Sequence, residues 1–195
     1  MVYLCSLSDP GLTVFPTHRL VHSVPELPVE RVRGLVAPYF DLAGEPVTGV
    51  EAARAALEAL PEQADPVRTF GLYLPRTQTC LTVRAREPQA ADRLRAGGFS
   101  PAAAGLSVTL LHELLFAEVL GLGHDDAENH VDYAKSVPDA LDALAGGKYE
   151  LGAFLNATRV DQVRAIADEG EVMPQKSTYF YPKLLTGLVY DALGD

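Results

Sequence analysis

The last third of the chain alternates between short strand patterns and short helix patterns, and no other feature of the sequence constrains the fold as strongly. The strand patterns are rich in β-branched and aromatic residues, whereas the helix patterns repeat apolar residues at helical spacing and end at glycine. In chain order the five segments are 130–134, 138–147, 149–155, 158–170 and 187–193. Because strands joined by helices usually run parallel, these five segments predict a C-terminal βαβαβ patch with mostly parallel pairing.

The first half of the chain has a different character, with hairpin-like strands around short turns. Residues 69–74 and 80–86 predict a strand pair, and the long apolar segment 106–123 predicts the central helix of the core. The Ala- and Gly-rich segment 87–105 is predicted to be a surface excursion. We therefore expect a single domain over residues 1–195, of the α+β (mixed α/β) class, built on a mixed sheet with helices.

The composition limits the class of protein. The 195 residues are 48% hydrophobic, which is enough for a core, and they carry a formal net charge of −10. An acidic protein is repelled by phosphate backbones, so general nucleic-acid binding is disfavoured. No apolar run reaches the roughly 20 residues of a membrane span. We therefore expect no membrane partner. Because Cys5 and Cys80 form no metal or disulfide framework, we expect reduced thiols and a cytoplasmic location.

The most unusual stretch of the sequence is "GEVMPQKSTYFYPKLLTG", residues 170–187. Its two prolines argue against a regular central strand, so a loop is predicted. Its lysines and hydroxyl groups suit the binding of an anion, and its tyrosines suit stacking on a base or ring. The candidate ligand-binding residues here are Lys176, Ser177, Thr178, Tyr179, Tyr181 and Lys183. The alternative is a core-sealing loop whose aromatic residues pack and whose lysines stay solvated.

Two other segments are predicted to contribute to the same site. Ligands in open α/β sheets favour the carboxyl ends of strands beside helix N-termini, which points to Arg159, after the strand pattern 149–155. Near the start of the chain, His18 and Arg19 lie side by side and suit a proton donor and an anion clamp. The alternative is a histidine that caps a turn and an arginine in a surface ion pair.

Established catalytic and metal motifs are missing from the sequence. The Lys-Ser pair at 176–177 is not part of a phosphate-binding P-loop, because Gln175 stands where that motif has its second glycine. Residues 123–132 gather two histidines and four acids, but their spacing matches no named metal motif. A solvated loop after the helix is favoured there. We therefore predict no metal site, and the identity of any other cofactor is left open.

Three stretches of the sequence resemble a known family. "PTHRLV" near the start, "LHELL" in the long apolar segment and residues 154–189 together are similar to the C-terminal half of a large bacterial and archaeal family, domain of unknown function 1015. The family's Pro-Lys-Ser-Thr-Tyr-Phe-Tyr-Pro-Lys run is matched from Lys176 to Lys183, with Gln175 in place of a proline. Members are often labelled as relatives of the ParB/SpoOJ chromosome-partitioning proteins.

The resemblance also implies a difference from longer members, which are about twice this length. Their N-terminal half carries an Ala-Asp-Gly-His-His-Arg-type motif, similar to that of ParB/sulfiredoxin-like domains, some of which use nucleotides and one branch of which phosphorylates free serine. That motif does not occur here, so we expect Met1 to begin mid-family. The resemblance then implies a nucleotide- or phosphate-using transferase only for full-length members, and no activity for this chain alone.

These observations lead to three hypotheses about function. The leading one is a domain that binds a phosphate- or carboxylate-bearing small molecule or a nucleotide, and completes an active site with a missing N-terminal half. The second is a non-catalytic interaction or dimerisation domain, with a homodimer as the expected assembly. The third is chromosome-partitioning-type DNA binding, which the charge disfavours.

Overall fold

The computed structural model describes residues 5–123 and 129–183, and within these ranges the chain forms an α+β fold, as the sequence predicts. The strands are β1 (Thr13–Phe15), β2 (His18–His22), β3 (Phe40–Leu42), β4 (Val47–Thr48), β5 (Thr69–Leu74), β6 (Thr79–Ala85), β7 (Val131–Ala134), β8 (Tyr149–Phe154) and β9 (Tyr179–Tyr181). The helices are α1 (Val29–Val36), α2 (Val50–Glu58), α3 (Gln89–Ala96), α4 (Pro101–Ala104), α5 (Ser107–Thr109, continued by a π-helix over Leu110–Val119), α6 (Val137–Ala145) and α7 (Val160–Asp168). A short 3₁₀ turn covers Leu60–Glu62.

The main sheet has the strand order β3-β6-β5-β8-β2-β7, with β4 also paired to β6. The predicted order of strand, helix, strand and helix is confirmed for β7, α6, β8 and α7. The predicted parallel pairing is wrong, because β2 lies between β7 and β8 and is antiparallel to both. The last predicted strand, 187–193, lies outside the described residues.

Helices cover both faces of the main sheet, so the core has two parts. One hydrophobic cluster, which includes Phe70, takes residues from α1, α3, α4, α5 and α7. The other, which includes Phe154, takes residues from α2 and α6. Since successive residues of a strand point to opposite faces, β2 supplies Val21 to the first cluster and Leu20 to the second. A strand from the start of the chain therefore becomes a buried central strand.

The long apolar segment forms the central helix that the sequence predicts. Most of its π-helical part is buried, at Leu110, Leu111, His112, Leu114, Leu115 and Phe116. Long π-helical segments are rare, and π-type turns within helices frequently occur at functional sites. Across residues 5–123 and 129–183, no helix combines the length and the hydropathy needed to span a bilayer.

The segment 87–105 is not the surface excursion that its composition suggests. It forms α3 and α4, and it buries Ala90, Ala91, Leu94, Ala103 and Ala104. Alanine-rich helices pack closely because their side chains are small, and α4 is capped by Ser100, whose hydroxyl accepts a hydrogen bond from the Ala103 N–H. The composition therefore indicates close packing here rather than a solvated loop.

Candidate functional site

Several elements meet at one end of the main sheet. β2 begins there while β7 and β8 end there, since His18 pairs with Ala134 and Arg19 pairs with Ala153. The segment 171–178, called here the α7–β9 loop, joins α7 to β9 and confirms the predicted loop over these residues. The prediction of a loop is wrong for Tyr179–Tyr181, which form a short strand paired with β1, because an edge position tolerates the flanking Pro182.

Arg19 holds the α7–β9 loop against the sheet. Its Nη2 donates to the backbone oxygens of Gln175 (3.4 Å) and Lys176 (3.1 Å). Its Nη1 donates to the Thr17 oxygen at 2.5 Å, and its Nε donates to Nε2 of His112, on the central helix, at 3.3 Å. The side chain is only 1% exposed. One arginine therefore connects the sheet, the helix and the loop.

The buried Arg19 side chain remains cationic at neutral pH. Burial lowers the pKa of its guanidinium to about 10, and the nearby Tyr133 opposes that shift. The Tyr133 ring centroid lies 5.7 Å from the guanidinium carbon. The sequence suggests an anion clamp for Arg19, yet the observed acceptors are carbonyl oxygens and an imidazole, because β2 lies in the interior. Charge-assisted bonds of this kind fix the loop instead.

A second tie fixes the same loop from the segment between β8 and α7. The Thr158 hydroxyl donates to the backbone oxygen of Ser177 at 2.8 Å, and both residues are buried. The Ser177 hydroxyl donates to the Pro174 oxygen, so this hydroxyl is engaged inside the loop. Between the two ties, Lys176 adopts a left-handed backbone conformation with φ of 56° and is exposed. The loop is therefore anchored at its backbone while the Lys176 side chain faces solvent.

Tyr179, at the start of β9, carries two lysines beside its ring. The Lys135 Nζ lies 4.6 Å from the ring centroid, and the Lys183 Nζ lies 5.1 Å from it. Phe15 of β1 also packs near Tyr179, with ring centroids 6.2 Å apart. Sequence reasoning missed Lys135, although it directly follows β7. The rule that pointed to the carboxyl end of β8 applies equally to β7 and could have found it.

The lysines near the α7–β9 loop differ from the other cations of this acidic chain. Among the described residues, nine of the twelve arginines form ion pairs with carboxylates. Of the four lysines, Lys148 is paired with Asp132. Lys135, Lys176 and Lys183 have no carboxylate partner within residues 5–123 and 129–183. The chain's uncompensated lysines are therefore grouped at one end of the sheet.

His18 lies on the opposite face of β2 from Arg19 and does not suit the role of a charged proton donor. It is buried against Phe154, with ring centroids 4.9 Å apart. Burial, with a smaller contribution from the Arg19 charge, lowers the pKa of its imidazole to about 4. The ring is therefore neutral at pH 7. The correction follows from the central position of β2, which the local sequence "PTHR" does not reveal.

The remaining predicted site residues are only partly brought together. Arg159 is exposed and forms an ion pair with Asp161, with Nη2 and Oδ2 2.5 Å apart. It lines a separate pocket with Asn156 and Gln162. Tyr181 is 52% exposed and packs edge-on to Phe15 at 5.6 Å between ring centroids. Thr178 is half-buried. The cationic part of the site thus consists of Lys135, Lys176 and Lys183.

The histidine- and acid-rich segment 123–132 lies partly outside the described residues, which omit 124–128. In the described part, His130 Nδ1 lies 3.1 Å from the His22 backbone oxygen. Within residues 5–123 and 129–183, no group of three or more histidine, cysteine or acidic side chains is arranged to hold a metal ion.

Comparison with known families gives one match, to a family of unknown function. The model of the family described as "Protein of unknown function (DUF1015)" matches residues 1–109, more than half of the chain. The C-terminal residues that carry the sequence resemblance lie beyond this match, so their assignment to one half of longer members stays a prediction. No curated protein matches the sequence.

Solved structures give distant likenesses. A conserved hypothetical protein from Pyrococcus furiosus is 13% identical with a TM-score of 0.46, over 90% of this chain and 59% of that one. A free serine kinase in complex with AMP is 13% identical with a TM-score of 0.45, over 90% and 56%. A mutant of such a kinase in complex with ADP is 15% identical with a TM-score of 0.45, over 91% and 57%. The chain spans less than two thirds of these structures, and likenesses at this level carry no functional inference.

Proposed function

The chain belongs to the DUF1015 family of proteins of unknown function, and from its own side chains we propose that it binds a phosphate-bearing small molecule at the end of the sheet. The observation that carries this proposal is the pair of lysines beside Tyr179, both without a carboxylate partner in the described part of the chain. Lys176 is exposed on the α7–β9 loop, three residues before Tyr179, and we include it in the proposed site. We call Lys135, Lys176 and Lys183 the lysine cluster.

The lysine cluster has an electrostatic cost that a bound anion would remove. The ammonium groups of Lys135 and Lys183 lie within about 10 Å of each other, since each is close to the same ring centroid. Like charges at that separation repel at low salt and are partly screened under physiological conditions, where the Debye length is about 8 Å. A phosphate that contacts both ammonium groups would replace this repulsion with two attractive contacts. The aromatic face supplies a further weak attraction for each cation.

The negative net charge of the whole chain limits how an anion can be bound. At −10, the long-range field repels anions, so an anion is retained only by contacts at short range. Lysine ammonium groups act as point charges toward phosphate and do not require the fixed geometry of an arginine fork. Phosphate is favoured over carboxylate because it carries more charge for the same number of contacts. Nucleotides form the first class to test, because the exposed Tyr181 ring offers a surface for base stacking.

Anchoring of the α7–β9 loop supports the proposal from a second direction. The ties from Arg19 and Thr158 hold the backbone on both sides of the Lys176 amide, so little loop entropy remains to be lost on binding. Lys176 keeps its left-handed conformation within this anchored backbone. The site is thus organised before a ligand arrives.

We assign this chain a binding role, with reacting groups supplied by another domain or chain. In the described part of the chain, the predicted His18 is neutral and buried, and Arg19 is engaged by carbonyl oxygens. No nucleophile held by a base, itself oriented by a third group, lies beside the lysine cluster within these residues. A nucleotide- or phosphate-using transferase reaction therefore remains a proposal for a larger assembly.

A thermal-shift experiment on the full chain tests the class of ligand. Pyrophosphate, AMP and ADP are expected to raise the melting temperature, because a ligand that binds the folded state stabilises it. Adenosine lacks phosphate, so its shift measures the contribution of the base and sugar alone. Citrate carries carboxylates, so its shift separates carboxylate binding from phosphate binding. Equal shifts with adenosine and AMP would contradict phosphate binding, and so would no shift with any phosphate compound.

Lys176→Gly provides a sharp variant for this experiment. Glycine adopts positive φ without strain, so the substitution removes the ammonium group and leaves the loop conformation favoured. The unliganded melting temperature is expected to stay nearly unchanged, while the pyrophosphate shift decreases. Lys148→Ala is the matched control, because Lys148 is exposed and paired with Asp132 away from the cluster. A pyrophosphate shift that survives in Lys176→Gly but disappears in Lys148→Ala would refute the assignment.

A non-catalytic interaction domain is the second candidate function, and the β1–β9 ribbon favours it. This two-stranded sheet exposes Phe15 (40%) and Tyr181 (52%) side by side. Exposed aromatic residues next to strand edges that no other described strand pairs with are typical of surfaces that bind another chain. Light scattering on the purified chain separates the candidates: a dimer that becomes monomeric in Phe15→Ser would favour interaction, whereas a monomer at all concentrations would count against a homodimer.

A further inference from the structure

A second cavity, of about 420 Å³, lies where α5, α7 and the α7–β9 loop approach the α3–α4 connection. Phe99 lines it from the α3–α4 connection, Thr109 and Glu113 from α5, and Ile166 from α7. Its volume falls in the range of small-molecule sites, which are mostly apolar with a few polar groups. The cavity does not include any member of the lysine cluster.

The charge of this cavity is opposite to that of the lysine cluster. Among residues 5–123 and 129–183, its lining contains two carboxylates, Glu113 and Glu171, and no lysine, arginine or histidine. Ser100 Oγ donates to Glu171 Oε2 at 3.0 Å, which orients that carboxylate. The remaining lining is largely apolar, with Phe99 and Met173 among it. Such a lining disfavours an anion and suits a cation with an apolar body.

A buried hydroxyl group without a described partner belongs to a residue of the cavity wall. Thr109 is 1% exposed, and its Oγ1 is buried with no hydrogen-bond partner in the described part of the chain. Leaving a buried hydroxyl unpaired is costly, so such groups usually have a partner when the protein is functional. Thr109 stands directly before the π-helical part of α5, the segment that also presents Glu113 to the cavity.

We infer that this cavity binds a small organic cation, a primary ammonium group carried on a short apolar chain. The ammonium group pairs with Glu113 and Glu171, and the Thr109 hydroxyl accepts one of its N–H donors. The apolar body packs against Phe99 and Met173. The net charge of −10 raises the local concentration of cations and favours their entry. This inference does not depend on the proposed phosphate site.

Isothermal titration calorimetry on the full chain near neutral pH tests the ligand class with three compounds of equal chain length. We expect n-pentylamine, which is cationic at that pH, to bind, and pentanoate to show no binding at the same concentration. 1-Pentanol measures the apolar contribution alone and is expected to bind at least about tenfold more weakly than the amine. Equal affinities for amine and alcohol would overturn the inference, as would no heat with the amine.

Charge-matched variants locate the binding site. Glu113→Gln and Glu171→Gln are each expected to weaken n-pentylamine binding about tenfold, the effect of losing a charge-assisted contact. Asp168→Asn removes the same charge from an exposed residue paired with Arg164, outside the cavity, and is expected to change affinity less than about twofold. If Asp168→Asn weakens binding as much as the cavity variants, the amine binds only through net charge and the inference fails.

Thr109→Val separates a ligand contact from a structural role. Valine has nearly the same shape and lacks the hydroxyl, so the unliganded melting temperature is expected to stay equal or rise. The same variant is expected to weaken amine binding. A lower melting temperature together with unchanged affinity would overturn the role assigned to Thr109. Lys176→Gly, which is expected to weaken pyrophosphate binding, should leave amine binding unaltered. The phosphate proposal and this inference can therefore fail independently of each other.

Discussion

At the scale of single residues, Arg19 does most to organise the candidate site. It is buried and cationic, and it donates to two backbone oxygens of the α7–β9 loop, to its own strand and to His112. Its described partners include no carboxylate. Its function is therefore to satisfy acceptors that would otherwise be buried and unpaired when the loop closes over the sheet.

Arg19→Met tests this role. Methionine fills a similar volume but cannot donate, so the acceptors lose their partners and the loop loses its main tie. The free energy of unfolding is expected to fall by about 2–4 kcal/mol, measured by urea denaturation at neutral pH. Arg84→Met, at an exposed position on β6, is the control and should change stability by less than about 0.5 kcal/mol. Equal effects of both variants would contradict the tie.

His18 predicts a pH dependence of stability. Burial lowers the pKa of its imidazole in the folded state to about 4, from 6.5. Between these values the unfolded chain holds a proton at His18 that the folded chain does not, so stability decreases as the pH falls through this window. The loss from this residue is about 3 kcal/mol, present in full only below pH 4.

His18→Phe should remove that dependence, since phenylalanine packs against Phe154 without titrating. Urea denaturation from pH 7.5 to 4.5 is expected to show a smaller loss of stability for the variant than for the original chain. Acidic residues titrate in both proteins, so the difference between the two curves isolates His18. Parallel curves would show that His18 is not protected from protonation.

The candidate site shows which residue roles the sequence can reveal. The unusual composition of residues 170–187 marked the lysines and Tyr179 directly, because several cations without neighbouring acids are visible in the sequence. Lys135 was missed because it lies some forty positions away from them and meets Tyr179 only through the fold. The sequence also suggested that His18 and Arg19 bind a ligand. It could not show that both residues are buried, because their burial depends on strands that pair from distant parts of the chain.

At the scale of elements, local patterns predicted most helices and strands but not their pairing. The order of β7, α6, β8 and α7 follows from apolar periodicity and glycine stops, which act within a few residues. The insertion of β2 between β7 and β8 depends on contacts across more than 100 positions, and periodicity carries no information about it. Alanine-rich helices were mistaken for a surface segment because small side chains give a weak hydrophobic pattern.

Close packing of α6 on the sheet requires a glycine in β8. A Cβ built on Gly152 would lie 2.7 Å from Leu144 Cδ1 and 2.8 Å from Phe154 Cε2, closer than real side chains pack. Gly152→Ala is therefore expected to lower the free energy of unfolding by about 1–3 kcal/mol through overpacking. Urea denaturation monitored by circular dichroism measures the effect.

Gly34→Ala is the matched control for that substitution. Gly34 is exposed in α1, and a Cβ added at this position would have no other atom within 4 Å, so alanine meets no obstacle. The variant should gain about 0.5–1 kcal/mol because alanine favours the helix over glycine. A destabilised Gly34→Ala or a neutral Gly152→Ala would contradict the packing described for the two faces of the sheet.

At the scale of the whole molecule, the distribution of charge matters more than its sum. The chain carries a net charge of −10. The lysines without a carboxylate partner in the described part of the chain nevertheless lie at one end of the main sheet, and the cavity lined by Glu113 and Glu171 lies beside the same loop. On our proposal, this local cluster of three lysines binds a small anion. It is insufficient for a long polyanion, whose many phosphates would also meet the acidic remainder of the surface.

Duplex DNA is therefore expected to bind weakly, in contrast to what a chromosome-partitioning label suggests. The dissociation constant for a random-sequence duplex should exceed about 100 μM at physiological salt. Fluorescence anisotropy with a labelled duplex measures it, and a single-stranded oligonucleotide of the same sequence is a useful comparison. Micromolar binding to the duplex would show that the lysine cluster belongs to a wider basic surface.

The most direct test of the central claim is the affinity of pyrophosphate for the four single lysine variants, measured by isothermal titration calorimetry. Lys135→Ala, Lys176→Ala and Lys183→Ala are each expected to weaken binding about tenfold, because each removes a charged contact to the ligand. Lys148→Ala, which breaks an exposed ion pair with Asp132, should change the affinity by less than about twofold. Equal affinities in all four variants would contradict a phosphate site at the lysine cluster.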